Sequence, residues 1–280
     1  MNSLKARCPT AFRWIARLWA ARPLALAVAV PAVALAAVMI RTGAAAGDAS
    51  SSRLLFSGTN KSAWRLDQSA TVTRIRRVPN PSGTGTALRF QTYDQDVFPL
   101  TPTSNPRSQL LTPLGVKVGG QFWESYEVFL PRSFPLAASR HSWISLGSPA
   151  FGPPWAGTPP AELSIVGGDF RFQRNGFASD PWQVAWQAPI VLGRWIRFTW
   201  HVMLSQNGYV QLWMNNQPLE LADGSSSSTT LYMPVIDQTD TRGPWFSQLA
   251  VYYKHGTFPQ LTVYFRDFRI ATTEALAVAG

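Results

Sequence analysis

Cysteine occurs once in the 280 residues, as Cys8, so no disulfide can staple the chain and its fold must be held by a hydrophobic core. Histidine is nearly as scarce. His141, His201 and His255 show no H-E-x-x-H or similar spacing, and no acidic run resembles an EF-hand loop, so neither a metal nor another cofactor is expected. No Asp or Glu precedes Asp48, whereas six basic residues do, and discounting that stretch lowers the formal net charge from +10 to +4. This excess is too small to argue for nucleic acid, and it is compatible with an acidic polysaccharide. From residue 47 onward no window of ten or more residues combines a helical apolar period with caps, which excludes an all-helical or α/β chain. A retaining glycosidase is excluded as well. It needs two carboxylates about 5 Å apart, usually as E-x-D-x-x-E on one strand, whereas the three-residue spacing of Glu124 and Glu127 sends them to opposite faces.

What the N-terminus does contain is an export pattern. Lys5, Arg7, Arg13, Arg17 and Arg22 form a basic flank, and the eighteen residues from Pro23 to Ile40 carry no charge. Ala44 and Ala46 supply the small residues of a cleavage site, so residues 1–46 read as a signal peptide or, uncleaved, as a signal anchor crossing the membrane through residues 23–40. Either way residues 47 onward are expected outside the cytoplasm. Residues 47–53 read as a linker, 54–272 as one domain and 273–280 as a tail, in a chain expected to act as a monomer.

Within the domain, short aromatic and β-branched runs are punctuated by Gly, Pro, Asn and Asp, which is the pattern of an all-β sandwich. Strands are expected over residues 122–130, 195–204, 209–214 and 263–270, with Asn215-Asn216 closing a hairpin and residues 225–230 forming a polar loop. Twelve tryptophans are many for this length, and Trp143, Trp155, Trp182 and Trp186 lie in or near Pro- and Gly-rich segments, where a ring could stack on a sugar. His201 alternates with Trp200 on a strand and reads as a satisfied histidine of the core or of a groove.

The run Tyr252-Tyr253-Lys254-His255-Gly256-Thr257-Phe258-Pro259-Gln260 sets polar and aromatic groups at strand spacing before a Gly-marked turn. It resembles the Y-F-K-A-G-x-Y-N-Q signature of alginate-lyase-like polysaccharide lyases, which share a concanavalin A-like jelly roll with the heparin lyase I and glucuronan lyase families. Asn105-Pro106-Arg107-Ser108-Gln109-Leu110 resembles their R-[ST]-E-L-R strand. Residues 193–198 and 208–216 resemble two of their scaffold strands.

The resemblance implies a fold of two antiparallel sheets and a lyase that cleaves uronic-acid chains by β-elimination. Such a reaction must neutralise the sugar carboxylate, remove the C5 proton and protonate the departing C4 oxygen. By the resemblance Arg107 and Lys254 bind the acidic sugar, with Gln109, Tyr252 and Gln260 on the same groove face. Trp155, in the loop Phe151–Pro160, stacks a ring. The chain departs from the pattern at the proton carriers. The family's tyrosine falls on Phe258, no histidine falls within residues 143–147, and His141 is off the register. Tyr252 is therefore the catalytic candidate, and a binding protein that has lost catalysis is the alternative.

Overall fold

The computed structural model describes residues 52–96, 105–151, 159–175, 182–224, 226–236 and 244–279. Residues 1–46, read from sequence as a signal peptide or anchor, and Trp155 lie outside the described residues. No helix among those described is long and apolar enough to cross a membrane.

Eighteen strands are present among the described residues. In chain order they are β1 (Leu54–Ser57), β2 (Leu66–Asp67), β3 (Ile75–Pro79), β4 (Thr86–Tyr93), β5 (Arg107–Pro113), β6 (Gln121–Phe129), β7 (Trp143–Phe151), β8 (Ala161–Val166) and β9 (Asp169–Arg174). There follow β10 (Gln183–Pro189), β11 (Trp195–Met203), β12 (Gly208–Met214), β13 (Gln217–Pro218), β14 (Leu221–Asp223), β15 (Ser226–Ser228), β16 (Leu231–Met233), β17 (Phe246–Tyr253) and β18 (Gln260–Ala271). The first sheet runs β13-β12-β11-β6-β18-β4-β3, with β1 on β18 and β16 on β12; the second runs β10-β9-β8-β7-β17-β5-β2. Neighbours pair antiparallel although many are distant in sequence, as β6 between β11 and β18 illustrates, and this is the order of a jelly-roll sandwich.

Alternation explains which face each strand buries. On β11 Ile196, Phe198, Trp200 and Val202 point into the core, while Arg197 and His201 point out. The two inner faces then interlock. Phe170 meets Phe198 and Phe172 meets Trp200, each with ring centroids 5.4 Å apart and nearly edge to face. Burying each such ring contributes about 1.5–3 kcal/mol. The hairpin between β12 and β13 closes through Asn215 and Asn216, whose φ values of 51° and 65° are those of a type I′ turn.

Glu124 and Glu127 do take opposite faces. Glu127 lies on the outer face, paired with Arg197 at 2.8 Å and Arg266 at 2.6 Å. Glu124 points inward, is fully buried, and neither of its oxygens has a well-formed hydrogen bond among the described residues. Burial pushes its carboxyl well above the usual range, opposed in part by the Ser247 hydroxyl. His201 stacks on Trp123 at 4.1 Å and bonds Gln211 and Gln121, a satisfied histidine on the outer face of the first sheet. The polar run 225–230 is not simply a loop, because β15 pairs with β14 in a small ribbon. The closing strand begins at Gln260, three residues before the expected start, because it continues its pairing with β4 as far as Tyr93.

Candidate functional site

The outer face of the second sheet gathers most of the polar groups singled out in the sequence. On β5 the Ser108 hydroxyl turns inward to the first sheet, accepting from Thr92 Oγ1 at 2.8 Å and donating to the Gln91 carbonyl. Strand parity therefore turns Arg107 and Gln109 outward. On β17 Leu249, Val251 and Tyr253 enter the core, leaving Gln248, Ala250 and Tyr252 outward. Tyr252 pairs with Arg107 and Ala250 with Gln109, so the two strands present one row of groups.

Packing fixes the centre of this row. The Arg107 guanidinium lies over the Tyr252 ring, 4.5 Å from its centroid, and Trp143 of β7 abuts the same ring at 5.0 Å and 69°. Asn105 Nδ2 donates to the Tyr252 hydroxyl at 3.4 Å. Gln109 Nε2 donates to Gln248 Oε1, a buried amide pair that fits because the intervening Ala250 is small. Arg107 itself is under-used. Its Nη1 reaches Gln68 only at 3.5 Å, and its buried Nε has no partner among the described residues. Burial lowers its pKa, and Tyr252 opposes that shift. An arginine remains cationic under such a shift, and donors left open on a desolvated cation suit an incoming carboxylate.

Lys254 follows β17 directly and is exposed. Together with Asn105, Arg140, His141, Trp143 and Arg171 it lines an open cavity of about 760 Å³ with no acidic residue in its wall. Farther across the sheet, β8 and β9 add Glu162, Ser164, Arg171 and Gln173, with the Ser164 hydroxyl donating to Gln173 Oε1 at 2.7 Å. Glu162 is half-buried. Burial pushes its carboxyl up to about 7, partly opposed by a hydrogen bond from Ser145.

Several sequence expectations need correction. Gln260 is the first residue of β18 in the other sheet, exposed and outward, with its amide near Thr262 Oγ1; the turn at Gly256 carries the chain from one sheet to the other. It does not share the face of Tyr252. Phe258 is buried against Tyr253, centroids 5.1 Å apart, so the position matching the family's tyrosine lies in the core. Trp186 is turned inward by a register shift after Val184 and packs near Phe198. Among the described residues Trp143 is the flagged tryptophan beside the site; Trp182 is half-buried just before β10. His255 is held by Asp94, whose carbonyl lies 3.0 Å from its Nδ1 and whose carboxylate lies at 3.3 Å.

Glu162, Gln248, Arg171 and Gln173 were not singled out from sequence. The signal for Glu162 was the alternation of Ala161-Glu162-Leu163-Ser164-Ile165, with apolar residues facing the core and polar ones facing out, and Asp169-Phe170-Arg171-Phe172-Gln173 alternates likewise.

Three comparisons bear on this arrangement. Residues 56–273 match the model of a family described as polysaccharide lyase. Among solved structures, an endo-β-1,4-glucuronan lyase from the fungus Trichoderma reesei superposes with a TM-score of 0.59 at 13% identity, over 80% of this chain and 98% of that one. An alginate lyase from Chlorella virus superposes with a TM-score of 0.50 at 12% identity, over 78% of this chain and 99% of that one. At such identities the likeness shows a shared fold. No curated protein matches the chain in sequence.

Proposed function

The chain belongs to the polysaccharide lyase family, and on that premise we propose that it is an exported protein that binds a uronic-acid-containing polysaccharide on the outer face of its second sheet and cleaves it by β-elimination. The observation that carries this reading is Arg107, a half-buried cation stacked on Tyr252 with its Nε unpartnered among the described residues. A uronate carboxylate meets that guanidinium and the Gln109–Gln248 amide pair. Neutralising the carboxylate makes the C5 proton removable, and Tyr252 is placed to exchange a proton with the sugar. Lys254 and the basic cavity hold a neighbouring acidic sugar, Trp143 offers a ring for stacking, and Trp155 supplies a second one.

A binding protein without catalysis is the second reading. It is favoured by Phe258, which sits in the core where it has no hydroxyl to offer, and by the lack of a histidine on the outward side of β7. One experiment separates the two. The purified domain is incubated with alginate, glucuronan and glycosaminoglycans, with ultraviolet detection of unsaturated products beside a binding assay on the same panel. Product release supports the lyase; binding to at least one polymer with no product from any supports the binding protein. Export is tested by N-terminal sequencing of native protein, which starts near Gly47 or remains in the membrane fraction; a full-length soluble cytoplasmic form overturns it.

A further inference from the structure

We propose that Glu162 is the catalytic base of this site, its carboxylate taking the C5 proton of a uronic-acid residue bound between it and Tyr252. The proposal rests on the elimination reading above and adds the proton acceptor which that reading lacks.

Three placements carry it. Glu162 on β8, Ser145 on β7 and Tyr252 on β17 stand on successive strands and on one face, since Tyr252 pairs with Ser145 and Ser145 with Ser164. Neighbouring strands are about 4.8 Å apart, and Glu162 lies two residues along β8 from Ser164, the residue in Tyr252's row, so the backbones of Glu162 and Tyr252 stand about 12 Å apart, a gap that a sugar ring and two side chains span. Ser145 stands on the strand between them, and its hydroxyl is the one polar group that partly offsets the desolvation of the Glu162 carboxylate. Neither nearby histidine competes for this place. His255 is engaged by Asp94, and His141 lies in the wall of the basic cavity beyond Trp143.

The electrostatics suit a base. Burial raises the Glu162 carboxyl to about 7, so its ionised form is more basic than an ordinary carboxylate yet populated at neutral pH. The charged and titratable groups on the same face are Asp169 and Arg171 on β9, Tyr252 and Lys254 at the end of β17, and Arg107 on β5. None of them is a cause of the shift, which comes from desolvation against the Ser145 bond. The step balances without an outside reagent. The C5–H bond breaks with its proton passing to Glu162, its electron pair becomes the C4–C5 double bond, and the C4–O bond breaks. The departing oxygen takes the Tyr252 phenolic proton, and exchange with water resets both groups.

The test compares wild type with Glu162→Gln and Glu162→Asp, scoring unsaturated product across roughly pH 5 to 9 and polysaccharide binding in parallel. Expected are a ~10²- to 10⁴-fold loss of rate in Glu162→Gln with binding within about threefold, and partial activity in Glu162→Asp. The wild-type rate rises with pH through a value near 7, and that rise vanishes in Glu162→Gln. Retained binding reports that the variants are folded; if Glu162→Gln alone loses binding, the pH profile of Glu162→Asp decides. Product formation that both variants leave unchanged, or a rising limb that persists in Glu162→Gln, overturns Glu162 while the lyase reading stands. Absence of product from the wild type on every polymer overturns both together.

Discussion

Removing the guanidinium of Arg107 separates recognition of the acidic sugar from the integrity of the fold. Among the described residues this side chain makes one marginal hydrogen bond, to Gln68 at 3.5 Å, and stacks on the Tyr252 ring at 4.5 Å. Losing these costs about 0.5–1 kcal/mol of stability, the worth of a cation–π contact at a partly exposed site. With a uronate bound, the same group makes charge-assisted hydrogen bonds worth about 1.5–3 kcal/mol. Arg107→Ala therefore weakens binding about 10- to 150-fold while the melting temperature falls by only a few degrees. Arg107→Lys keeps the charge but loses the planar fork and the stack, and falls between the two. Calorimetric titration with defined oligouronates at low and high salt reads the effect. The Arg107 contribution persists at high salt because the group is half-buried, whereas that of the exposed Lys254 is screened. An affinity unchanged within twofold in Arg107→Ala, or a stability loss above about 3 kcal/mol, would show that Arg107 is a structural residue and refute the reasoning.

Tyr252→Phe should lower any elimination by ~10²- to 10⁴-fold and leave binding within about threefold, measured by product release and titration; equal losses in both would mark a packing role. Phe258→Tyr sets a hydroxyl into the core against Tyr253 and should lower stability by about 1–3 kcal/mol without raising elimination, checked by denaturant midpoint and product assay. Glu124→Gln tests the buried carboxyl. Because the folded state raises its pKa, stability is full below the unfolded value near 4.5 and falls by about 1.4 kcal/mol per pH unit as pH rises toward the folded value. The variant should lose that decline, so its advantage over wild type in melting temperature grows from acid to neutral pH; parallel pH profiles would contradict the assignment.

The parts of this site that were legible from sequence are those fixed within one strand. Arg107 and Gln109 are two residues apart on β5, as are Ala250 and Tyr252 on β17, and alternation alone puts each pair on one face. The same was true of the hairpin at Asn215-Asn216, where a short polar pair tolerates the positive φ that the turn demands. Parity carries no information through a turn that changes sheets. Counting from Tyr252 to Gln260 crosses Gly256, where φ is 78°, and the chain leaves β17 in one sheet to enter β18 in the other. Parity also fails at register shifts, which is how Trp186 came to point into the core. Glu162 illustrates the deeper reason. Its outward orientation is written in the alternation of β8, but its place on the same face as Tyr252 depends on β7 lying between β8 and β17, an arrangement that relates residues ninety positions apart in the chain. Such neighbours are chosen by how the two sheets bury their apolar faces against each other, and no local pattern in Ala161–Val166 specifies them.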